Sequence, residues 1–177
     1  MARGNARESG GKPLYTDEER RRRDASPWTI VQGVLAPFQF LVFLVSLGLV
    51  LYTLATGEGA TAAAVSVVVK TLVLYTIMVT GAIWEKEVFG QYLFAPAFFW
   101  EDVFSFLVIA LHTAYLVVLF THALDVRGQL FLALAAYAAY VVNAVQFLLK
   151  LRAARLDERA RGLRTDRTSR SGAEVAA

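Results

Sequence analysis

Residues Trp84–Asp102 read WEKEVFGQYLFAPAFFWED, with two acidic clusters, Glu85 with Glu87 and Glu101 with Asp102, bracketing an uncharged aromatic run of 13 residues, Val88–Trp100. Long apolar segments lie on either side of it. A run of this length cannot cross a bilayer, which needs about 20 apolar residues; stretches of about 10–14 are interfacial or re-entrant segments, or core helices. Gly90 and Pro96 interrupt a helix, and Trp and Tyr favour the headgroup level. The stretch is therefore expected to be a floor lying in the membrane interface. Its carboxylates would hold the mouth of a cavity between helices.

Working outward, the segments on both sides have the lengths of membrane spans. Upstream, 33 uncharged residues separate Asp24 from Glu58. Pro27 and Pro37 are expected to divide them into an interfacial lead-in, Trp28 to Ala36, and a first span, Pro37 to Thr56. Gly57 to Ala60 then forms a turn short enough to make the next span an antiparallel neighbour. That second span, Thr61 to Trp84, holds one charge, Lys70. Downstream of the floor, Val103 to Leu124 and Gly128 to Leu149 are the third and fourth spans. The fold class is thus an all-α membrane protein, four transmembrane helices with an interfacial or re-entrant aromatic segment between helices 2 and 3. Its expected parts are an N-terminal tail (1–26), a four-helix domain (27–151) and a C-terminal tail (152–177). Residues 1–13 and 165–177 have the composition of disordered chain, whereas Thr16 caps a short surface helix, TDEERRRRDAS, with acids in its first turn.

Composition agrees: 56% of the 177 residues are hydrophobic and the mean hydropathy is +0.48, against about 45–50% apolar in soluble domains. No cysteine is present, which excludes disulfides, thiol redox chemistry and iron–sulfur clusters. The two histidines, His112 and His122, lie on one segment, a poor arrangement for bis-histidine haem ligation. Of 18 Lys and Arg, seven lie in residues 1–23 and eight in 150–170. Basic residues next to spans mark the cytoplasmic side, and four spans bring both tails, and the floor, to that side. Acids interspersed at Asp17, Glu18, Glu19, Asp24, Asp157 and Glu158 speak against a nucleic-acid arm. No cleavable signal precedes the first span.

Polar residues inside the spans lean toward the same side. Gln32, Gln39, Ser46 and Thr53 recur every seven residues and share the face of the first span that looks into the bundle. On the third span Glu101 or Asp102, Ser105, His112 and Tyr115 form one stripe, and on the fourth Tyr140, Asn143, Gln146 or Phe147, and Lys150 form another. At about 1.5 Å per residue His112 lies about 15 Å deep. Ionisable groups at such depth are expensive and commonly functional. Each also has a plainer reading: His112 a structural hydrogen bond, Lys70 a snorkelling cation, Asn143 and Gln146 glue between helices. The acids can likewise be interfacial carboxylates paired with Lys86 and Arg152, and the aromatics a belt. Four converging carboxylates nonetheless make a candidate general acid, since repulsion and partial burial favour a retained proton.

The block Lys70–Leu116, KTLVLYTIMVTGAIWEKEVFGQYLFAPAFFWEDVFSFLVIALHTAYL, resembles the core of the 3-vinyl bacteriochlorophyllide hydratases of bacteriochlorophyll biosynthesis. The flanks PLYT (Pro13–Thr16), DASPWTIVQGVLAPFQF (Asp24–Phe40), ATGEG (Ala55–Gly59) and NAVQFLLKLRAARL (Asn143–Leu156) are similar to the same family, so the likeness covers about Pro13 to Leu156. It implies hydration of the C3 vinyl group of a chlorophyllide or bacteriochlorophyllide to a 1-hydroxyethyl group by a hydro-lyase. No cofactor is implied, and magnesium enters only as part of the substrate.

Such a site needs a proton donor, a group to take a proton from water, and a flat apolar slot. The candidates are Glu101 or Asp102 as general acid, Glu85 as the base that orients water, with these roles reversible, and His112 as a proton relay or axial ligand to the substrate's magnesium. Tyr92, Phe98 and Trp100, with Asn143 and Gln146, would line the substrate, and Lys86 or Arg152 would pair with its propionate. The implied partners are the tetrapyrrole, membrane lipid and other pigment-biosynthesis enzymes, with no nucleic acid. The implied location is the bacterial inner or intracytoplasmic membrane, both termini cytoplasmic. Rival classes are a non-catalytic pigment-binding or assembly protein, with His112 on magnesium, and a membrane anchor that uses its tails and floor as contact surfaces. Substrate preference between chlorin and bacteriochlorin, product stereochemistry, oligomeric state and the role of Lys70 are left open by the residues.

Overall fold

The computed structural model describes residues 14–175; the expectation of disorder for 1–13 lies outside the described residues. Five helices follow one another: α1 (Asp17–Ala25), α2 (Pro27–Thr56), α3 (Ala60–Phe89), α4 (Phe99–Thr121) and α5 (Val126–Val175). There is no strand among the described residues. α2, α3, α4 and the Val126–Leu156 part of α5 are each long and apolar enough to cross a membrane, making this a multi-pass membrane protein.

α1 forms because its start is fully capped. Thr16 accepts from the Glu19 amide and the Glu19 carboxylate accepts from the Thr16 amide, a reciprocal capping box, with Asp17, Glu18 and Glu19 complementing the helix dipole. Ser26 then ends α1 and caps α2, with Pro27 in the first turn, where its missing N–H is not needed. Contrary to the expected division at Pro37, α2 is one helix of 30 residues. Breaking it in apolar surroundings would strand several backbone groups, whereas continuing it forfeits only the bond that Pro37 cannot make.

The turn between α2 and α3 uses Gly57 and Gly59, both left-handed at φ 79° and 77°, and makes α2 and α3 an antiparallel hairpin. α4 and α5 form the second hairpin, and the two are joined through α3 against α4 and α2 against α5. Fully buried Ala63, Ala133 and Ala136 let backbones approach closely. Phe43, Tyr137 and Tyr140 fill the centre, with the Tyr137 and Tyr140 ring centroids 5.4 and 4.9 Å from that of Phe43.

With four antiparallel spans, α1, residues 90–98 and the far half of α5 share one end of the bundle. α1 is more than a solvated surface helix: it packs on α3, and Tyr15 is buried against Phe89 and Phe98. Ser26 hydrogen-bonds Glu87, and Trp84 Nε1 donates to Thr29 Oγ1 at 2.9 Å. Ser26→Ala, which removes both the cap and the Glu87 bond, is expected to cost about 1–2 kcal/mol. A thermal-unfolding series in detergent checks it; Glu87→Ala should reproduce part of the loss and add nothing to S26A.

α5 continues past Lys150 into the C-terminal tail (152–177) without a break and runs to Val175. The expected disorder from Thr165 is therefore not met as far as Val175. A helix already nucleated by a whole membrane span extends one residue at a time, without the nucleation cost an isolated tail would face.

Candidate active site

α3 stops at Gly90, whose φ of 83° admits a left-handed cap and whose N–H reaches Lys86 O at 3.0 Å. Residues 90–98 then cross to α4 without regular structure, so the interfacial floor is present as a loop between the second and third spans. It is tied down from below by two carboxylates. Asp102, in the first turn of α4, accepts the Phe94 N–H through Oδ2 at 2.6 Å, and Glu85, in the last turns of α3, accepts the Ala95 N–H through Oε2 at 3.3 Å. Phe94 is one of two non-glycine residues with positive φ among those described, at 59°. That left-handed backbone is disfavoured for a bulky residue, and the Asp102 bond compensates it. The other, His122, is the C-cap of α4.

Glu85, Glu101 and Asp102 converge at 6, 6 and 3% exposure. Glu87 does not join them, being exposed and bonded to Ser26. Nor do they stand at the mouth of an open cavity, because the floor closes over them. Glu101 is paired by Lys150, with Nζ to Oε2 at 2.6 Å, and the same ammonium lies 4.9 Å from the Phe98 ring centroid. The expected partners Lys86 and Arg152 are elsewhere. Lys86 Nζ caps α3 by donating to Gly90 O at 2.8 Å, and Arg152 lies with Arg155, Arg159 and three leucines on an outer face of α5, along a hollow of about 500 Å³. Lys150 was legible as the end of the Tyr140–Asn143–Gln146 stripe, but a neighbouring basic residue is not distinguishable from it by spacing alone.

With Glu101 paired by Lys150, Glu85 and Asp102 remain: both are buried, on separate helices, and they accept from the adjacent Ala95 and Phe94 amides. Two carboxyls gathered under one loop can offer an acid and a base side by side, because like charges brought together favour a retained proton.

Phe98 turns inward, its ring packed on Tyr15, Trp84, Phe89 and Phe147. The exposed aromatic surface is made instead by Phe94, Phe99, Trp100 and Phe106, with Phe94 and Phe106 stacked at 5.5 Å and 12°. Trp100 is 66% and Tyr92 60% exposed, the latter beside Lys86. Phe99 and Phe106, absent from the expected substrate-binding residues, belong to this surface. Their spacing along α4 carried the signal.

Deeper in, Asn143 Nδ2 donates to Ser105 Oγ at 2.9 Å. His112 is fully buried, its Nδ1 at 2.8 Å from Val108 O. That bond makes Nδ1 the donor and leaves an open lone pair on Nε2. Lys70 is also fully buried, 3.8 Å above the centroid of Tyr140. Several buried atoms here find no partner among the protein's own groups: Lys70 Nζ, His112 Nε2, Tyr115 OH, Asn143 Oδ1, Gln146 Oε1 and Gln39 Oε1. A buried polar atom left without any partner costs about 1–3 kcal/mol.

Two buried carboxyls gathered beneath an aromatic surface in a membrane protein narrow the chemistry but do not name it. The sequence profile of the 2-vinyl bacteriochlorophyllide hydratase family matches residues 15–153. The chain belongs to that family. Two curated relatives within the hydratase family, both called 2-vinyl bacteriochlorophyllide hydratase, are each 72% identical to it. The one from Cereibacter sphaeroides aligns over 147 residues, 81% of this chain and 89% of its own length. The one from Rhodobacter capsulatus aligns over 145 residues, 82% of this chain and 84% of its own. No solved structure matches the chain. The stretch the hydratase family shares thus runs from the buried Tyr15 through the floor to the Lys150 turn of α5, the whole apparatus described above.

Proposed function

We propose that this hydratase adds water across the vinyl group of a chlorophyllide or bacteriochlorophyllide to give a 1-hydroxyethyl group, with the Glu85–Asp102 pair handling the proton. The observation that carries the assignment is the convergence of the buried Glu85 and Asp102 carboxylates on the adjacent Ala95 and Phe94 amides under the floor. The protonated member gives its proton to the terminal vinyl carbon, leaving a cation on the inner carbon that the macrocycle delocalises. Water adds to that carbon and loses a proton to the ionised member. Substrate plus water gives product, and the pair regains the proton it gave. No redox cofactor is required by this balance, and magnesium enters only within the substrate.

The macrocycle lies on the Phe94–Phe99–Trp100–Phe106 surface, with its vinyl edge toward the pair and its propionate at the interface near Lys86 or Arg152. The fully enclosed ring of His112 argues against an axial bond to the substrate's magnesium. The basic residues of α1 and of α5 beyond Lys150 share the floor's end of the bundle, which argues for a cytoplasmic floor and cytoplasmic termini in a bacterial inner or intracytoplasmic membrane. Other pigment-biosynthesis enzymes are the natural source of the vinyl substrate and the natural partners at that surface.

Membranes containing the chain, incubated with a vinyl chlorophyllide, should yield a product heavier by one water. Pigment that co-purifies unaltered would instead support a binding or assembly protein. Because an exposed ion pair is worth about 1 kcal/mol or less, Lys86→Gln or Arg152→Gln, whichever holds the propionate, is expected to raise KM by up to about fivefold while leaving kcat alone. Steady-state kinetics on the two variants separates them.

A further inference from the structure

Six unpartnered buried atoms remain that the carboxyl chemistry does not use: Gln39 Oε1, Lys70 Nζ, His112 Nε2, Tyr115 OH, Asn143 Oδ1 and Gln146 Oε1. They come from all four spanning helices and lie in sequence along the bundle axis. Gln146 is one turn and Asn143 two turns from Lys150, which holds Glu101. Asn143 bonds Ser105, one turn beyond Asp102. Tyr140, one turn deeper than Asn143, carries the Lys70 ammonium on its face. His112 packs on the Tyr137 ring, one turn from Tyr140 on the same helix, and Tyr115 lies one turn beyond His112. In a bilayer, buried polar groups must be satisfied internally, and buried water commonly makes about three hydrogen bonds to such groups. The set combines a three-hydrogen donor (Lys70), a lone-pair acceptor (His112 Nε2), a hydroxyl and three amide oxygens, which is the complement that water, donor and acceptor at once, fits.

We propose that the bundle interior is a water-binding site, a file of ordered water running from Lys70 and His112 to the underside of the Glu85–Asp102 pair, and that it supplies the water added to the substrate. The supply role rests on the hydration reading above. A planar pigment on the aromatic surface and the closed floor cover the pair from the interface. Water therefore reaches the cationic carbon from the protein side. Lys70 and His112 touch neither pigment nor reacting atoms; they are positioning residues for that water.

The test uses the full ¹⁵N-labelled chain in lipid bilayers, with solid-state NMR transfer of magnetisation from water to the Lys70 Nζ and His112 Nε2 signals, assigned by their loss in Lys70→Met and His112→Phe. Transfer at both nitrogens well above that at amides of the α3 and α4 cores is expected, and transfer no greater than at those amides overturns the site. In parallel, K70M and H112F, compared at matched levels of folded protein, are expected to lower kcat about tenfold or more at little change in KM. Wild-type kcat in both variants overturns the supply role even where water is found. A wild-type chain that hydrates no vinyl pigment removes the proposed function and the supply role together, while the NMR measurement still decides the water site by itself.

Discussion

Asp102→Asn is expected to lower kcat for vinyl hydration by about 100- to 10,000-fold, the range lost when a positioned acid or base is removed. The asparagine keeps a carbonyl oxygen for the Phe94 N–H now held at 2.6 Å, so the floor stays in place and the unfolding temperature changes little. What disappears is a carboxyl group able to carry the transferred proton. Glu85→Gln should do the same, since its amide oxygen can still accept from Ala95. The two act as one unit, and the double variant should be no slower than the worse single, as members of a single catalytic device are not additive. Product formation measured in membranes with matched protein levels checks this, and full activity in both singles would end the assignment. Glu101→Gln is the contrasting case. Its carboxylate is already engaged by Lys150, and its loss should cost far less rate than loss of either member of the pair.

The second large effect is on stability. Lys150→Met leaves the Glu101 carboxylate, with an 8% exposed side chain, without its cation. Stranding one half of a buried ion pair costs about 3–5 kcal/mol, but the Lys150 side chain is 24% exposed. A loss of about 2–3 kcal/mol is therefore expected, which corresponds to a fall in the unfolding midpoint of roughly 4–12 °C for a chain of this size. Combining it with Glu101→Gln should recover most of the loss, because an uncharged amide at that place no longer needs the ammonium. Thermal unfolding of the two singles and the double variant completes the cycle. No recovery in the double variant would mean that Lys150 stabilises through the Phe98 ring 4.9 Å away rather than through Glu101.

The amino-acid sequence determined by itself whatever depends on length, charge placement and helical periodicity. Apolar run lengths bound the number of spans, Gly57 and Gly90 mark where two helices end, and spacings of three, four and seven residues predict which faces turn inward. Gln39, Ser46, Thr53, Ser105, His112, Tyr115 and Asn143 are buried on those faces. The capping box at Thr16 and Glu19 is equally local, and could be read because its partners lie three residues apart. Only the tertiary structure decided what depends on contacts between elements. Pro37 stays inside α2 because the surroundings penalise a broken helix more than one missing bond. Phe98 faces inward and Phe106 outward because residues 90–98 bend through a left-handed Phe94, a conformation no residue preference announces. Lys150 rather than Lys86 or Arg152 meets Glu101 because the α4–α5 hairpin fixes the two helices' register, a distance of 49 residues along the chain. Glu85 and Asp102 lie on separate helices, and only the fold brings their carboxylates to adjacent amides of one loop.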